Sequence, residues 1–474
     1  MAQVKKLIRA ASGIHVVAIM TKPYPCPGKC VYCFGGPSYD TPQSYLGEEP
    51  ALMRAVQNNF HPYLQVQNRL QQYVAKGHNP VKVEMIVMGG TFTALPLDYQ
   101  EWFIAQAFKA LNDFPYFRLE ESVDIEEAKK LNERARVRCT GLTLETRPDY
   151  AKRFHIDNML RLGATRVEIG VQTVYDDVLE LVHRGHGVEE SIAATRRLKD
   201  AGLKVVYHMM IGLPGMTPQK DLEAFKTIFT DSRFMPDMIK IYPTLVIKGS
   251  KLYEWWIRGD YEPYSEEVTI DLVAKILSIV PPWVRVMRVH RDVPAPIIEA
   301  GVKKSNLREL AMVRLRKLGL RCREIRCREA GINYVKRGIL PVEENIKLVR
   351  YDYEASGGHE VFLSFEDVRQ DLLIGILRLR IPSEKAWRYE IRETSSAIVR
   401  ELHVYSLALP LGERSEVSWQ HRGYGRRLLM EAERIAREEF DVKKILVMSG
   451  IGVKEYYRKL GYRDDGVYVS KTLV

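Results

Sequence analysis

The chain has 474 residues, 46% of them hydrophobic, enough to fill two or three cores rather than one. No window approaches the roughly 20 consecutive apolar residues that a membrane span requires, so a cytoplasmic protein without a membrane partner is expected. Six cysteines exclude a disulfide framework of the secreted kind, and a net charge of +11 has to be located along the chain.

The first predicted element is the run GIHVVAIM. It is short, interrupted by His15 and followed by no small-residue cleavage site, so it reads as a buried strand and not a secretion signal. Next comes KPYPCPGKCVYCFGG, where Cys26, Cys30 and Cys33 are spaced CxxxCxxC on a loop rich in Pro and Gly. A structural zinc site takes four protein ligands, whereas this group offers three with no adjacent His. Three thiolates on a four-iron cluster leave one iron open to a small molecule, which can then accept an electron. CxxxCxxC followed by Gly-Gly resembles the signature of the radical SAM superfamily, in which that molecule is S-adenosylmethionine, and Tyr32 fits the aromatic found before the last cysteine. Three cysteines that merely fill a core are the alternative, and the Pro and Gly around them speak for a loop.

Five apolar runs follow: VEMIVMGGT (83–91), GLTLETRPD (141–149), RVEIGVQT (166–173), KVVYHMMIGLPG (204–215) and MIKIYPTLVI (238–247). Helical stretches such as 97–112 and 188–201 lie between them, which predicts an α/β fold with a parallel barrel or part-barrel over residues 1–300. Chemistry in such a barrel sits at the C-terminal ends of the strands. Those ends carry Gly89, Gly90 and Thr91, then Glu145, Arg147 and Asp149, then Glu168 and Gln172, then the glycine turn IGLPG. Singly, a Gly-Gly after a strand is ordinary turn chemistry, and Glu168 or Arg147 is an ordinary ion-pair partner. Their weight lies in following the cysteine loop in order.

Residues 336–474 change pattern. RELHVYSLAL (400–409) reads as a strand, and QHRGYGRRLLMEAERIAREEF (420–440) as a Gly-rich turn feeding an amphipathic helix. Gln420, Arg422, Gly423 and Gly425 match the Q-x-x-G-x-G turn of GNAT acetyltransferases, where glycines bring backbone N–H groups and a helix N-terminus against the pyrophosphate of coenzyme A. ILVMSG (445–450) and EYYRKLGYRDDG (455–466) supply the next strand, helix and turn, which such folds set over the thioester. Tyr456 and Tyr457 lie there. A GNAT tyrosine in this region can protonate the leaving thiolate; Tyr457 is the expected donor, and packing is the alternative role for one of the pair.

A radical SAM part-barrel followed by a GNAT domain is a rare combination, and over nearly its whole length the chain resembles the catalytic subunit of Elongator, the family that carboxymethylates tRNA uridine. The strings that carry the resemblance include ASGIHVVAIMTKP, KVEMIVMGGTFTALP, TLETRPDY, VEIGVQTVY, KIYPTLVIKG, VPPWVRVMRVHRDVP, VRELHVY and YYRKLGY. It implies a 4Fe-4S iron-sulfur cluster on Cys26, Cys30 and Cys33, S-adenosylmethionine and acetyl-CoA as cofactors, and 5-carboxymethyluridine at the tRNA wobble position as product. The acetyl methyl carbon would join carbon 5 of uridine, and thioester hydrolysis would release the product. On the barrel side the implied cofactor-binding residues are Gly89, Gly90 and Thr91, whose loop takes the methionine amino group in the superfamily, with Glu168, Gln172 and Lys82. Lys82 matches a lysine that contacts acetyl-CoA in family members; without the resemblance it would read as a solvated lysine at a strand start. In the GNAT domain they are Glu401, Leu402, His403, Val404, Gln420, Gly423, Tyr424, Gly425, Arg426 and Tyr457. Eukaryotic members have a longer insert between the first two cysteines and a long basic N-terminal extension. This chain has three residues in that insert and about a dozen before the first shared string, and so resembles a stand-alone archaeal or bacterial member.

Between the domains, at 301–335, lies a basic connector. Residues 301–350 hold fourteen Lys and Arg against five Asp and Glu, an excess of +9 that accounts for most of the net charge. A basic face on a folded connector suits RNA phosphates, and a solvated, partly paired face is the alternative. Cys322 and Cys327 could form half of a zinc site, but with no second local pair that is the lesser reading, and Cys139 is expected to be packed. The expected partners are tRNA through its anticodon stem-loop, an electron donor and, as a candidate, a second copy of the chain. Two rival readings are a GNAT protein lysine acetyltransferase with a structural iron-sulfur domain, and a binding protein that uses the cluster only to fold.

Overall fold

A computed structural model describes residues 13–405 and 422–473. Its first sheet is built from β1 (Ile14–Met20), β2 (Lys82–Met88), β3 (Arg138–Thr146), β4 (Arg166–Gln172), β5 (Lys204–Ile211), β6 (Met238–Pro243) and β8 (Arg285–Val289). These seven pair in the order β1-β2-β3-β4-β5-β6-β8, all parallel, while β7 (Val246–Ile247) and β9 (Ile298–Ala300) form a small separate ribbon. Since β1 and β8 do not pair with each other, the sheet is a curled part-barrel with one open side. Each of the five apolar runs does become a strand. Their polar tails leave the sheet, because Gly89 and Gly90 take φ of 125° and 99° and Pro148 opens a helical turn, and that is how the tails reach the barrel mouth.

Side-chain alternation divides each strand between core and lumen. On β2, Val83, Met85 and Val87 are fully buried in the main core with Phe103, Ile104 and Phe108 of helix Leu97–Asp113, each contributing about 1.5–3 kcal/mol through burial. Lys82, Glu84, Ile86 and Met88 are half-buried on the opposite, lumen side. A lumen lined by charged residues at its floor is unusual for a barrel and bears on what it can hold.

The second sheet contains β10 (Ile346–Ala355), β11 (Gly358–Asp367), β12 (Leu372–Ile381), β13 (Ser396–Val404), β14 (Lys444–Val447), β15 (Arg463–Asp465) and β16 (Tyr468–Thr472). The order is β10-β11-β12-β13-β14-β16-β15, antiparallel except for β13 against β14. Helix Tyr424–Glu438 covers one face through Leu428, Leu429, Ala432, Ile435 and Ala436, whose spacing of three and four makes one apolar stripe. The parallel register of β13 and β14 runs only from Ser396–Lys444 to Val399–Val447, so residues 400–404 diverge from β14 and open a cleft.

The two sheets are joined by a buried lattice of charge. Asp237, just before β6, accepts Arg400 Nη2 at 2.5 Å and Nη1 at 2.7 Å, and Glu360 accepts Arg400 at 2.8 Å and Arg380 at 3.0 Å. Asp200 accepts Arg380 at 2.6 Å, and Lys199 lies 3.3 Å from Asp237. All six side chains are at most 1% exposed. In the connector, helix Leu307–Lys317 packs on helix Glu266–Ile279. There the structure pairs several of the charges counted toward a basic face, as the partly paired alternative has it: Arg328 is buried against Glu366 and Asp371, Arg308 pairs with Glu324, Arg323 with Asp371, and Arg326 donates to the Met287 carbonyl. Lys303, Lys304 and Arg321 remain exposed. Cys322 and Cys327 are joined as a disulfide, which replaces the half zinc site, and Cys139 is packed at 1% exposure.

Candidate active site

One cavity occupies the C-terminal mouth of the part-barrel, and Cys26, Cys30 and Cys33 all open into it. The Cys33 N–H donates to the Cys30 carbonyl, tightening the loop, and Cys33 Sγ lies 3.1 Å from Ser44 Oγ. The hydrogen bond with Cys33 is the main influence holding the Cys30 thiol down at about 4; burial opposes it and the Arg184 guanidinium, 3.4 Å away, assists. The same hydrogen bond and burial push the Cys33 thiol up, so the thiolate, the form that binds iron, is favoured at Cys30. The backbone at Gly28 lies hard against the Arg147 guanidinium, where a Cβ would meet Nη1 and displace it.

Residues from six strands, β2 to β6 and β8, face the same cavity. Thr91 lies 3.7 Å from Cys26 Sγ through its hydroxyl, and Gly90 lines the wall beside it; Gly89 is pressed against Thr21, where a Cβ would clash. Glu168 on β4 binds His208 on β5 at 2.7 Å and Lys240 on β6, and Glu145 on β3 lies 3.7 Å from Lys240. Burial raises the Glu145 carboxyl to about 7 and lowers the His208 imidazole to about 4. Burial would raise Glu168 too, but Lys240 and His208 overcome it and keep the carboxylate charged. Gln172 ends β4 at φ 73°, which turns it toward the cavity.

Several buried polar atoms in this wall have no partner in the protein: Arg147 Nη1, Arg184 Nε and Gln172 Oε1. Leaving such atoms unmatched costs about 1–3 kcal/mol each, so the wall is built for a polar guest. Three converging thiols with basic groups behind them fit an iron-sulfur cluster and a charged cofactor. Arg184, His208 and Lys240 were not singled out from the sequence, although a lone charged or imidazole side chain in an apolar strand, as in KVVYHMMI and MIKIYP, is a signal of that kind.

A second candidate site lies at the β13–β14 cleft. Gly423, at φ 81°, caps helix Tyr424–Glu438, whose first turn carries Gly425 and Arg426. A Cβ at Gly425 would stand 3.3 Å from Tyr456 Oη and 3.6 Å from Val404, so turn, tyrosine and strand end meet at one place. Tyr457 is 5% exposed and packs edge-on to Tyr456 and Tyr462, while Tyr456 is 40% exposed. Glu401 is held by Arg378 at 2.8 Å, Leu402 packs against the second core, and His403 lies beside Tyr405. Lys82 opens β2 at the barrel floor, where burial and then Arg138 lower its pKa. Gln420 lies outside the described residues.

Models of known families match much of this chain: the radical SAM superfamily over residues 24–228 and the radical SAM C-terminal domain over residues 236–317. A tRNA uridine(34) acetyltransferase of Methanocaldococcus infernus is 55% identical over 99% of this chain and 87% of its own length. The chain belongs to the Elongator complex protein 3 family. The human Elongator complex protein 3 is 48% identical over 99% of this chain and 86% of its own. The solved structure of the archaeal family member from Methanocaldococcus infernus, with an N-terminal deletion, superposes with a TM-score of 0.86 at 52% identity, covering 98% of this chain and all of that one. Family membership makes the first sheet a radical SAM part-barrel. The sequence-derived fold class, with α/β character in both halves, agrees with it. No helix among the described residues is long and apolar enough to cross a membrane.

Proposed function

We propose that the protein carboxymethylates the wobble uridine of tRNA at carbon 5, taking the two-carbon unit from acetyl-CoA. The observation that carries this reading is the cysteine-lined cavity with its unpartnered buried donors, in a chain half identical along its length to proteins named for tRNA uridine acetylation. Cys26, Cys30 and Cys33 would hold a four-iron cluster, with Gly90, Thr91, Gln172 and Arg184 around S-adenosylmethionine. Bound there and reduced by an external electron donor, these groups supply one-electron chemistry able to take hydrogen from an unactivated methyl group.

The chain's own residues then place the partners. Arg184 offsets thiolate charge at Cys30, and Lys240 fixes Glu168 while Glu145 remains able to hold a proton near neutral pH. A wobble base sits in a single-stranded loop and can be splayed into such a cavity, where edge hydrogen bonds read it. Gly423, Tyr424, Gly425 and Arg426 at the helix N-terminus would take the pyrophosphate of acetyl-CoA, Glu401 to Val404 its pantetheine, and Tyr457 would protonate the thiolate. Lys303, Lys304 and Arg321, with Arg316 and Lys317, are exposed connector cations that could meet phosphates. This division of labour follows the ranges 1–300, 301–335 and 336–474, in a cytoplasmic setting.

The test is to incubate reduced, cluster-reconstituted protein with S-adenosylmethionine, acetyl-CoA and tRNA, then digest the RNA for nucleoside mass spectrometry. Carboxymethyluridine is expected. A parallel reaction with a histone peptide tests lysine acetylation, and acetylated peptide with unmodified tRNA would overturn the proposal.

A further inference from the structure

The part-barrel has a second charged layer, at its floor, which the chemistry at the mouth does not use. Alternation along β4 puts Arg166 on the same face as Glu168, two residues or roughly 7 Å deeper. In the same way Thr143 lies below Glu145 on β3, and Lys204 lies two alternations below His208 on β5. The register confirms that these meet: Thr143 pairs with Arg166, and Arg166 with Lys204. Arg166 is 4% exposed and binds Glu84 of β2 at 2.5 Å through Nη1. Its Nε and Nη2 have no partner, and neither does the fully buried Thr143 hydroxyl. Among the described residues Lys204 has no carboxylate within ion-pair distance, and burial lowers its pKa.

The floor faces the acetyltransferase domain. Lys204 is within electrostatic reach of Glu401 as well as of Arg166 and Glu84, and His403 of Lys204, Glu84 and Arg285. Arg400 of β13 donates to the Leu203 carbonyl beside Lys204 at 3.0 Å, and Arg285 at the start of β8 lies 5.7 Å over the Tyr405 ring, so β13 and the residue after it lie against the N-terminal ends of these barrel strands. Burial lowers the His403 imidazole to about 4, so it is neutral there and adds no competing cation. Two unpaired guanidinium donors, an unpaired hydroxyl and a lysine without a carboxylate at ion-pair distance lie at neighbouring register positions on this floor. Arg166 Nε and Nη2 and the Thr143 hydroxyl make no hydrogen bond within the protein, and buried donors of this strength favour an oxygen acceptor.

We infer that the barrel floor is an acyl-oxygen site, in which Arg166, backed by Glu84 and helped by Lys204 and Thr143, binds the carbonyl oxygen of the acetyl thioester and draws the acyl group into the lumen below the cluster. The inference rests on the proposed use of acetyl-CoA. It gives the lumen a role as the route between the two candidate sites, with the lateral opening between β1 and β8 left for the nucleotide.

Titration calorimetry on the full chain, comparing acetyl-CoA with CoA and with acetate, tests it. Arg166→Gln should weaken acetyl-CoA by at least about tenfold, the size of one charge-assisted hydrogen bond, and leave CoA affinity unchanged because CoA has no acyl oxygen. The double variant Glu84→Gln/Arg166→Gln avoids stranding a buried carboxylate and should show the same selective loss with an unchanged melting temperature, as should Lys204→Met to a smaller extent. Free acetate should bind wild type only weakly, since the thioester is tethered through its pantetheine. An equal loss for acetyl-CoA and CoA, no loss for either, or acetate binding as tightly as acetyl-CoA would overturn the inference while leaving the proposed function standing. Wild-type protein that binds neither thioester nor CoA would overturn both.

Discussion

Asp237 is the point on which the docking of the two domains turns. Its carboxylate accepts both Arg400 nitrogens at 2.5 and 2.7 Å and the Val205 N–H at 2.8 Å, with Lys199 3.3 Å away, and it is fully buried. Asp237→Asn keeps the shape but removes one negative charge. Lys199, Arg378, Arg380 and Arg400 would then face only Asp200, Glu360 and Glu401, which leaves a buried uncompensated cation. Breaking a buried pair in this way costs about 3–5 kcal/mol, against a total stability of about 5–15 kcal/mol for a typical domain. Denaturant melts followed by fluorescence measure the loss. Although burial alone would raise it, Arg400 and Lys199 pull the Asp237 carboxyl well below the usual carboxylate range. A depressed carboxyl contributes stability above its unfolded pKa, near about 4, and loses it only as pH falls through the lower folded value. The gap between wild type and variant should therefore stay level from neutral pH down to about pH 4 and close below that. The double variant Asp237→Asn/Arg400→Met, which removes both charges, should recover part of the loss. A cost under about 1 kcal/mol, or a gap that closes between pH 7 and 5, would refute the reasoning.

Cys26→Ala, Cys30→Ala and Cys33→Ala should each remove the visible absorption of the reconstituted cluster and abolish tRNA modification, and full activity in any one would end the radical reading. Tyr457→Phe keeps the buried ring and removes only the hydroxyl, so thioester turnover should fall by about 10²- to 10⁴-fold with tRNA affinity unchanged. Tyr456→Phe, next to Gly425, should weaken acetyl-CoA binding instead, and the opposite pattern would transfer the donor role to Tyr456. Reversing the charge of Lys303, Lys304 and Arg321 should weaken binding of different tRNAs alike and flatten the slope of log affinity against log salt by about 0.7–0.9 for each phosphate that is no longer neutralised; an unchanged slope would place the RNA path elsewhere.

The fold was readable where pattern and chemistry agree. The five apolar runs that became β2 to β6 are bounded by Gly and Pro, and the cysteine loop announces itself by spacing alone. β8 and the strands β10 to β12 were not assigned. RVMRV breaks alternation with two arginines, and LLIGILRLRI sets Arg378 and Arg380 in an apolar run because Glu401 on the next strand neutralises Arg378 and Asp200 across the domain seam neutralises Arg380, partners that no local window shows. The connector failed for the same reason in reverse: Arg328 and Arg308 count as surface charge in the sequence but find Glu366 and Glu324 in the fold. At the site, glycines and cysteines were legible as motifs. His208, Lys240 and Arg166 were not, since only the barrel register brings them to the lumen, nor was Arg184, which a loop carries to the Gly170 carbonyl and Cys30.

The central claim is that the acetyl group of acetyl-CoA becomes the carboxymethyl group of the wobble uridine. It is tested most directly by supplying acetyl-CoA labelled with ¹³C at both acetyl carbons, together with S-adenosylmethionine, reductant and tRNA, and sequencing the modified nucleoside by mass spectrometry. Both labelled carbons should appear on the uridine at the wobble position, and only there. Carboxymethyluridine without label, or label recovered only as free acetate with tRNA unmodified, would contradict the account.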